Sequence, residues 1–411
     1  MRGNYQILGR VVDVLAGRVI EHGAVLTKGE QIIYAGPADE APPCEGLVRI
    51  DAGSRTVLPG FIDCHAHLCG LESDYVFQPD AVLALKAAKD MKDLLSAGFT
   101  AVRDMSRISP YLKQAVESGW VQGPRIMAGS QVLSVTSGHV DEARYPYNVA
   151  QNTSIGMLCD GVDECLKAVR LQFRRGAEFI KVCATGGVSS MADGLDDIQF
   201  SNEEMQAMVD EAYRHGKYVA AHCIGLAGTK QALKCGVKTI EHGVQLDEEC
   251  VQIMKENHCS LVTTLYVSLH VPEMVGLPDW MTAKGKLCAG YNKQSIALAH
   301  AAGINIALGT DFGNGGPDGN TDFSFIGQEY EAITQCGFSN MEALQIGTIN
   351  GARCMENEEN LGSLTAGKYA DIVICNGDPV CDIQVLGASE RICFVMKGGE
   401  IIKSELDTVC G

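Results

Sequence analysis

Eight short apolar runs recur through the middle of the chain, most of them separated by helix-like stretches. They are GFIDCHAH (60–67), FTAVRDMS (99–106), RIMAGS (125–130), FIKVCATGG (179–187), YVAAHC (218–223), TIEHG (239–243), SLVTTL (260–265) and INIALGTD (304–311). Each is short, apolar and closed by polar residues or glycine, as expected of a strand buried in a sheet. The stretches between them include AVLALKAAKDMKDLLSAG (81–98), SNEEMQAMVDEAYRHG (201–216) and NKQSIALAHAAG (292–303). Ser201 with Glu204 forms a capping-box signature, and Gly216 a C-terminal stop. Strands alternating with helices predict an α/β fold, a parallel (β/α)8 TIM barrel. The barrel is expected over residues 58–360. Residues 1–57 and 361–411 instead alternate apolar and polar positions with turn signals, as small antiparallel strands do.

A barrel of this kind carries its functional residues at the C-terminal ends of its strands. Five of the eight runs carry metal-ligand residue types toward their ends: His65 and His67, Lys181, His222, His242 and Asp311. His65 and His67 are two apart on an extended strand, so both side chains point to one side. Any one of these alone reads as a hydrogen-bonded core residue; their collection at strand ends points to a site. Lys181 sits inside a strand that should be buried, where an unpaired ammonium finds a partner or loses its proton. A buried ion pair with Asp104 or Asp311 is one solution. The other is uptake of carbon dioxide to give a carbamate, an anionic group whose two oxygens can serve two cations. Burial favours the neutral, nucleophilic amine that this needs. Four neutral histidines, an aspartate and a carbamate suit two divalent ions, with Zn²⁺ first among the candidates.

Composition narrows the partners. Apolar residues make up 46% and charged residues 20% of the chain, as in ordinary globular proteins. A net charge of −18 argues against nucleic acid or an anionic membrane. No run of 18 apolar residues suggests a transmembrane helix. The start, MRGNYQILGRVVDV, lacks the apolar core of a signal peptide. The 17 cysteines are scattered with no CxxC pair, and read as reduced, mostly buried thiols. A cytoplasmic protein is expected.

The stretch LPGFIDCHAHL, the lysine strand, AHC, TIEHG, LGTD and the tail GSLTAGKYADIVI together resemble the amidohydrolase superfamily over nearly the whole chain. IKVCATGGVSS with LSVTSGH is similar to the branch of ochratoxinase-like amidases, Xaa-Pro dipeptidases and related N-acyl amino acid hydrolases. The resemblance implies that both chain termini join in one β-sandwich domain beside the barrel, with Asp371 structural in it. It implies that His65, His67 and Asp311 hold a first metal, His222 and His242 a second, and carbamylated Lys181 bridges both. Two cations about 4 Å apart acidify a water and polarise a carbonyl, and Asp311 can move a proton from that water to a leaving amine. His139, in SGH, matches a family histidine that would polarise the carbonyl or bind a substrate carboxylate. Arg144 and Tyr266 are further candidates for substrate contact. The family also implies a homo-oligomer.

The expected activity is therefore cleavage of an amide C–N bond in an N-acyl amino acid or dipeptide-like substrate with a free carboxylate. A mononuclear deaminase or imidazolone-type ring hydrolase is the alternative, but the HxxE of the deaminases is absent from HCIG (222–225). A scaffold without chemistry would be expected to have lost ligands, and all six are present. Two departures bear on specificity. Ile224 stands where dipeptide-cleaving members often have tyrosine, and Asp318 where many have histidine. Both remove donors to a substrate carboxylate and argue against tight recognition of proline dipeptides.

Overall fold

A computed structural model describes residues 3–43, 45–71, 76–273, 276–313, 323–406 and 408–410. Asp318 lies outside the described residues. The chain opens with β1 (Asn4–Asp13), β2 (Arg18–Lys28), β3 (Gln31–Pro37) and β4 (Val48–Pro59). The barrel follows with β5 (Phe61–Ala66), β6 (Phe99–Asp104), β7 (Arg125–Ala128), β8 (Val132–Ser134), β9 (Gly156–Leu158), β10 (Ile180–Cys183), β11 (Val219–Cys223), β12 (Thr239–His242), β13 (Ser260–Thr263) and β14 (Asn305–Leu308). β15 (Ile372–Cys375), β16 (Ile392–Lys397), β17 (Glu400–Ser404) and β18 (Thr408–Cys410) return to the first sheet.

All eight anticipated runs are strands of a parallel (β/α)8 barrel. β5, β6 and β7 pair in sequence, and β10 to β14 pair in sequence. The third run differs from expectation. It stops at Ala128 and resumes as β8, which pairs with β10 through Lys181 and Val182. The break is built by Ser130, whose φ of 57° is left-handed. Its N–H, leaving the ladder, donates to Ser109 Oγ, and its Oγ donates to Gln172 Oε1. The barrel closes where the Asp311 N–H donates to the His65 carbonyl at 2.8 Å and the His67 N–H to the Phe312 carbonyl at 2.9 Å. Closure therefore falls on ligand-type residues themselves.

The terminal strands form one mixed sheet over a separate core that includes Ile7, Val25, Ile50, Ile372 and Phe394, the small β-sandwich domain. Most pairs are antiparallel, but β1 and β4 are parallel. β4 thus runs alongside β1 in the same direction. Asp371 ties this sheet to the barrel: its carboxylate accepts from Arg125 of β7 at 3.1 and 3.2 Å and from the Gly398 N–H at 2.7 Å.

The helix Asn202–Arg214 starts with the anticipated capping box, Ser201 and Glu204 each satisfying the other's backbone N–H. The stretch 292–303 is only the end of a longer helix, Asp279–Ala301, which places Lys284 near the site. Among the described residues no helix is long and apolar enough to cross a membrane. The described cysteine thiols are free, and all but Cys336 and Cys381 are buried.

Candidate active site

β5, β10, β11, β12 and the segment after β14 bring His65, His67, Lys181, His222, His242 and Asp311 together at one end of the barrel. Asp311 Oδ1 lies 3.4 Å from His65 Nε2 and 3.2 Å from His67 Nε2. Lys181 Nζ lies 3.5 Å from His65 Nε2. The rings of His65 and His242 are 4.9 Å apart, and those of His222 and His242 4.6 Å. His242 and Asp311 both have left-handed φ, 68° and 57°. Such backbone costs on the order of 1–3 kcal/mol per residue and collects where side-chain direction matters.

Burial sets the charge states. It lowers the pKa of His67, His222 and His242, leaving neutral imidazoles with a lone pair to offer. It also lowers that of Lys181, which favours the free amine. Among the described residues no carboxylate pairs with Lys181. Asp311 is engaged by His65 and His67, while Asp104 accepts from Ser106 and the Leu68 N–H. Burial would push Asp311 up, but His65, His67 and His242 outweigh it and hold the carboxyl well below its ordinary range.

A second layer orients the first. Glu241 Oε2 accepts from His65 Nδ1 at 2.7 Å, and Arg103, fully buried, donates to Glu241 Oε1 at 2.5 Å. Burial opposes the charge on Glu241, yet Arg103 and Lys181 keep the carboxyl far below its usual value. An ionised Glu241 only accepts, so His65 carries a proton on Nδ1, and its Nε2 faces Asp311 and Lys181. Thr264 Oγ1 occupies His242 Nδ1 at 2.8 Å, and the Gly186 carbonyl accepts from His222 Nε2 at 3.2 Å. Among the described residues His67 Nδ1 is buried without a hydrogen-bond partner. Asp63 joins the two strand ends: it accepts from the His65 N–H at 2.9 Å and from the Thr310 N–H and hydroxyl at 3.1 and 2.7 Å.

This donor set fits a divalent cation. His65, His242 and Asp311 each offer a ligand atom, all within 4.8 Å of one another, and neutral imidazoles with a carboxylate suit Zn²⁺ and its neighbours.

His139 reaches the same region, its ring stacked on His222 with centroids 4.3 Å apart. Tyr266 is buried beside Phe312, its N–H donating to Glu329. Arg144 is exposed and paired with Glu142 at 3.0 Å. Ile224 is buried among Val244 and Cys288. Sequence reasoning passed over Glu241 and Arg103, although each interrupts an apolar run as Lys181 does. It also passed over Ser190, Asp193 and Lys284, which support His139 and carried no local signal.

Residues 56–402 match the amidohydrolase family model. The chain belongs to the amidohydrolase family. It is 32% identical to the ochratoxinase of Aspergillus niger over 94% of this chain and 84% of that protein. A crystal structure of a prolidase complexed with N-methylphosphonate-L-proline superposes with a TM-score of 0.89 at 32% identity, covering 98% of this chain and all, 100%, of the other. A Xaa-Pro dipeptidase with bound methionine gives 0.84 at 28% identity, over 97% of this chain and 99% of that one. This amidohydrolase is thus an enzyme, a hydrolase of C–N bonds acting on small molecules, in a family that generally uses divalent metal ions.

Proposed function

We propose that this amidohydrolase is a binuclear amidase that releases an α-amino acid from an N-acyl amino acid or dipeptide-like substrate with a free carboxylate. The observation that carries the reading is Lys181: a buried amine that among the described residues forms no salt bridge with a carboxylate, set among four histidines and Asp311. His65, His67 and Asp311 would hold one divalent ion, His222 and His242 a second, and Lys181, carbamylated by CO2, would serve both. Zn²⁺ is the preferred ion. Such a pair supplies Lewis-acid polarisation of the carbonyl and acidification of water.

The chain's own groups handle protons and binding. Asp311, ionised and partly open to the site, can accept a proton on its carboxylate and return it to the leaving amine nitrogen. His139 is assigned to the substrate carboxylate. Tyr266 is assigned to the substrate as well, and Arg144 would have to exchange Glu142 for it. The likeness to a prolidase and an ochratoxinase supports an amide bond beside a carboxylate. Gly225 stands where the deaminases carry their glutamate, which weighs against that alternative. We also place the enzyme in the cytoplasm, on the free and mostly buried thiols of its described cysteines. We assign it a homo-oligomeric state, consistent with the exposure of Leu85 and Trp120, 78% and 73%.

The test is a hydrolysis screen of N-acyl amino acids, dipeptides and ochratoxin-type amides, each beside its carboxamide. Amidating the carboxylate should lower kcat/KM at least tenfold, about 1.4 kcal/mol of transition-state binding. His139→Ala should abolish the difference. Equal cleavage of acid and amide, or preference for lactones or ureas, contradicts the carboxylate assignment.

A further inference from the structure

His139 rests on a chain of groups drawn from two distant segments. Its Nδ1 lies 2.8 Å from Ser190 Oγ, and Ser190 Oγ lies 2.5 Å from Asp193 Oδ1. Lys284 Nζ, arriving from the helix Asp279–Ala301, is 3.0 Å from the same Oδ1. Lys284 also donates to the carbonyls of Gly187, Ser190 and Asp193 at 2.9, 2.7 and 2.6 Å. Asp193 Oδ2 accepts from the Gly187 N–H at 3.1 Å and from Gln199 Nε2 at 3.3 Å. Gly187 lies directly against the imidazole: a Cβ there would come within 2.2 Å of His139 Cε1. Loop, ring and lysine therefore form one packed unit.

The direction of each hydrogen bond follows. Burial would push the Asp193 carboxyl up, but His139, Ser190 and Lys284 bring it down to about 2. Ionised, it only accepts. The Ser190 hydroxyl must then donate to it, and having one proton, its oxygen accepts from His139 Nδ1. His139 thus carries a proton on Nδ1, and Nε2 is the nitrogen left for a substrate. Asp193 Oδ2 lies 3.6 Å from the same Nδ1.

We propose that Lys284, acting through Asp193 and Ser190, is a positioning residue that fixes the tautomer and ring orientation of His139 for substrate recognition. This rests on the assignment of His139 to the substrate. A merely structural clamp on the 187–193 loop would have a different signature. If Lys284 acts through His139, its removal should matter little once His139 is gone.

The experiment is a double-mutant cycle on the zinc-loaded full chain, with an N-acyl amino acid from the screen as probe and metal content and melting temperature as controls. Lys284→Met should lower kcat/KM at least tenfold in the native background and less than threefold in the His139→Ala background. Lys284→Arg, which keeps a cation for Asp193, should recover part of the loss. Independently of turnover, the ¹⁵N-histidine spectrum, with His139 identified by the signals lost in His139→Ala, should show the Nδ1–H form. Lys284→Met should convert it to a mixture of tautomers. Equal losses in both backgrounds, or an unchanged His139 pattern, overturn the proposal. Should Lys284→Met not fold, Ser190→Ala, which leaves the lysine clamp in place, is read the same way. If His139→Ala leaves the acid–amide discrimination intact, the carboxylate reading fails, while the spectrum still decides the role of Lys284.

Discussion

The two sides of the site are built differently. Around His65, charge is organised by barrel strands: Arg103 of β6, Glu241 of β12 and His65 of β5 form a line of hydrogen-bonded, buried groups. Around His139, the same logic is executed by loops and a helix. Lys284, Asp193 and Ser190 stand in for Arg103 and Glu241, and the lysine is 17% exposed where the arginine is not exposed at all. Both lines end on an imidazole and hold its proton on Nδ1. The strand-borne line would serve metal ligands that stay fixed through turnover. The loop-borne line would serve a residue that meets substrates of varying shape.

The largest effect expected on this contrast is at Asp311. Asp311→Asn should keep the fold and metal content but lose about 10²–10⁴-fold or more in kcat, the range of general acid–base catalysis. A loss under tenfold with metal retained would remove Asp311 from proton transfer. Next is the rigid line. Glu241→Gln leaves the Arg103 guanidinium buried without its anion, and should cost about 3–5 kcal/mol in denaturant unfolding. It should also weaken metal binding by about 10–100-fold, because glutamine offers one acceptor oxygen where His65 and Arg103 each use one. The corresponding Asp193→Asn should cost less stability, since Lys284 keeps three carbonyl partners and some solvent. Equal destabilisation of the two variants would erase the distinction between the lines. The smallest effect is expected away from both: Ser201→Ala removes a helix cap and should cost about 1 kcal/mol with kcat/KM unchanged, a control that stability loss alone does not mimic the other variants.

The same contrast explains what the sequence reveals. Strand-borne features were legible because a strand compresses its chemistry into a few residues: HAH, the lysine inside FIKVC, AHC, TIEHG and LGTD each announce themselves within one run. The partnership of Arg103 with Glu241 was not legible, since it joins β6 and β12 across the barrel, although both charges stand in apolar runs. The break at Ser130 depends on a backbone dihedral that RIMAGS does not advertise. The parallel pairing of β1 with β4 depends on the path of the connection, not on alternation. The helix Asp279–Ala301 was recognised only at its end, because DWMTAKGKLCAGY mixes glycines and lysines with no clear apolar stripe. The support of His139 was the least legible of all. Lys284 and Ser190 are 94 residues apart, and nothing local marks either.

The central claim is that Lys181 exists to join two metals, and metal content reads it most directly. The chain prepared with zinc and ¹³C-bicarbonate should bind two zinc ions and show a carbamate carbon in its ¹³C spectrum. Lys181→Ala should lose that carbon and hold one zinc or none. Two zinc ions with no carbamate signal, or a Lys181→Ala variant that still binds two, would contradict the account.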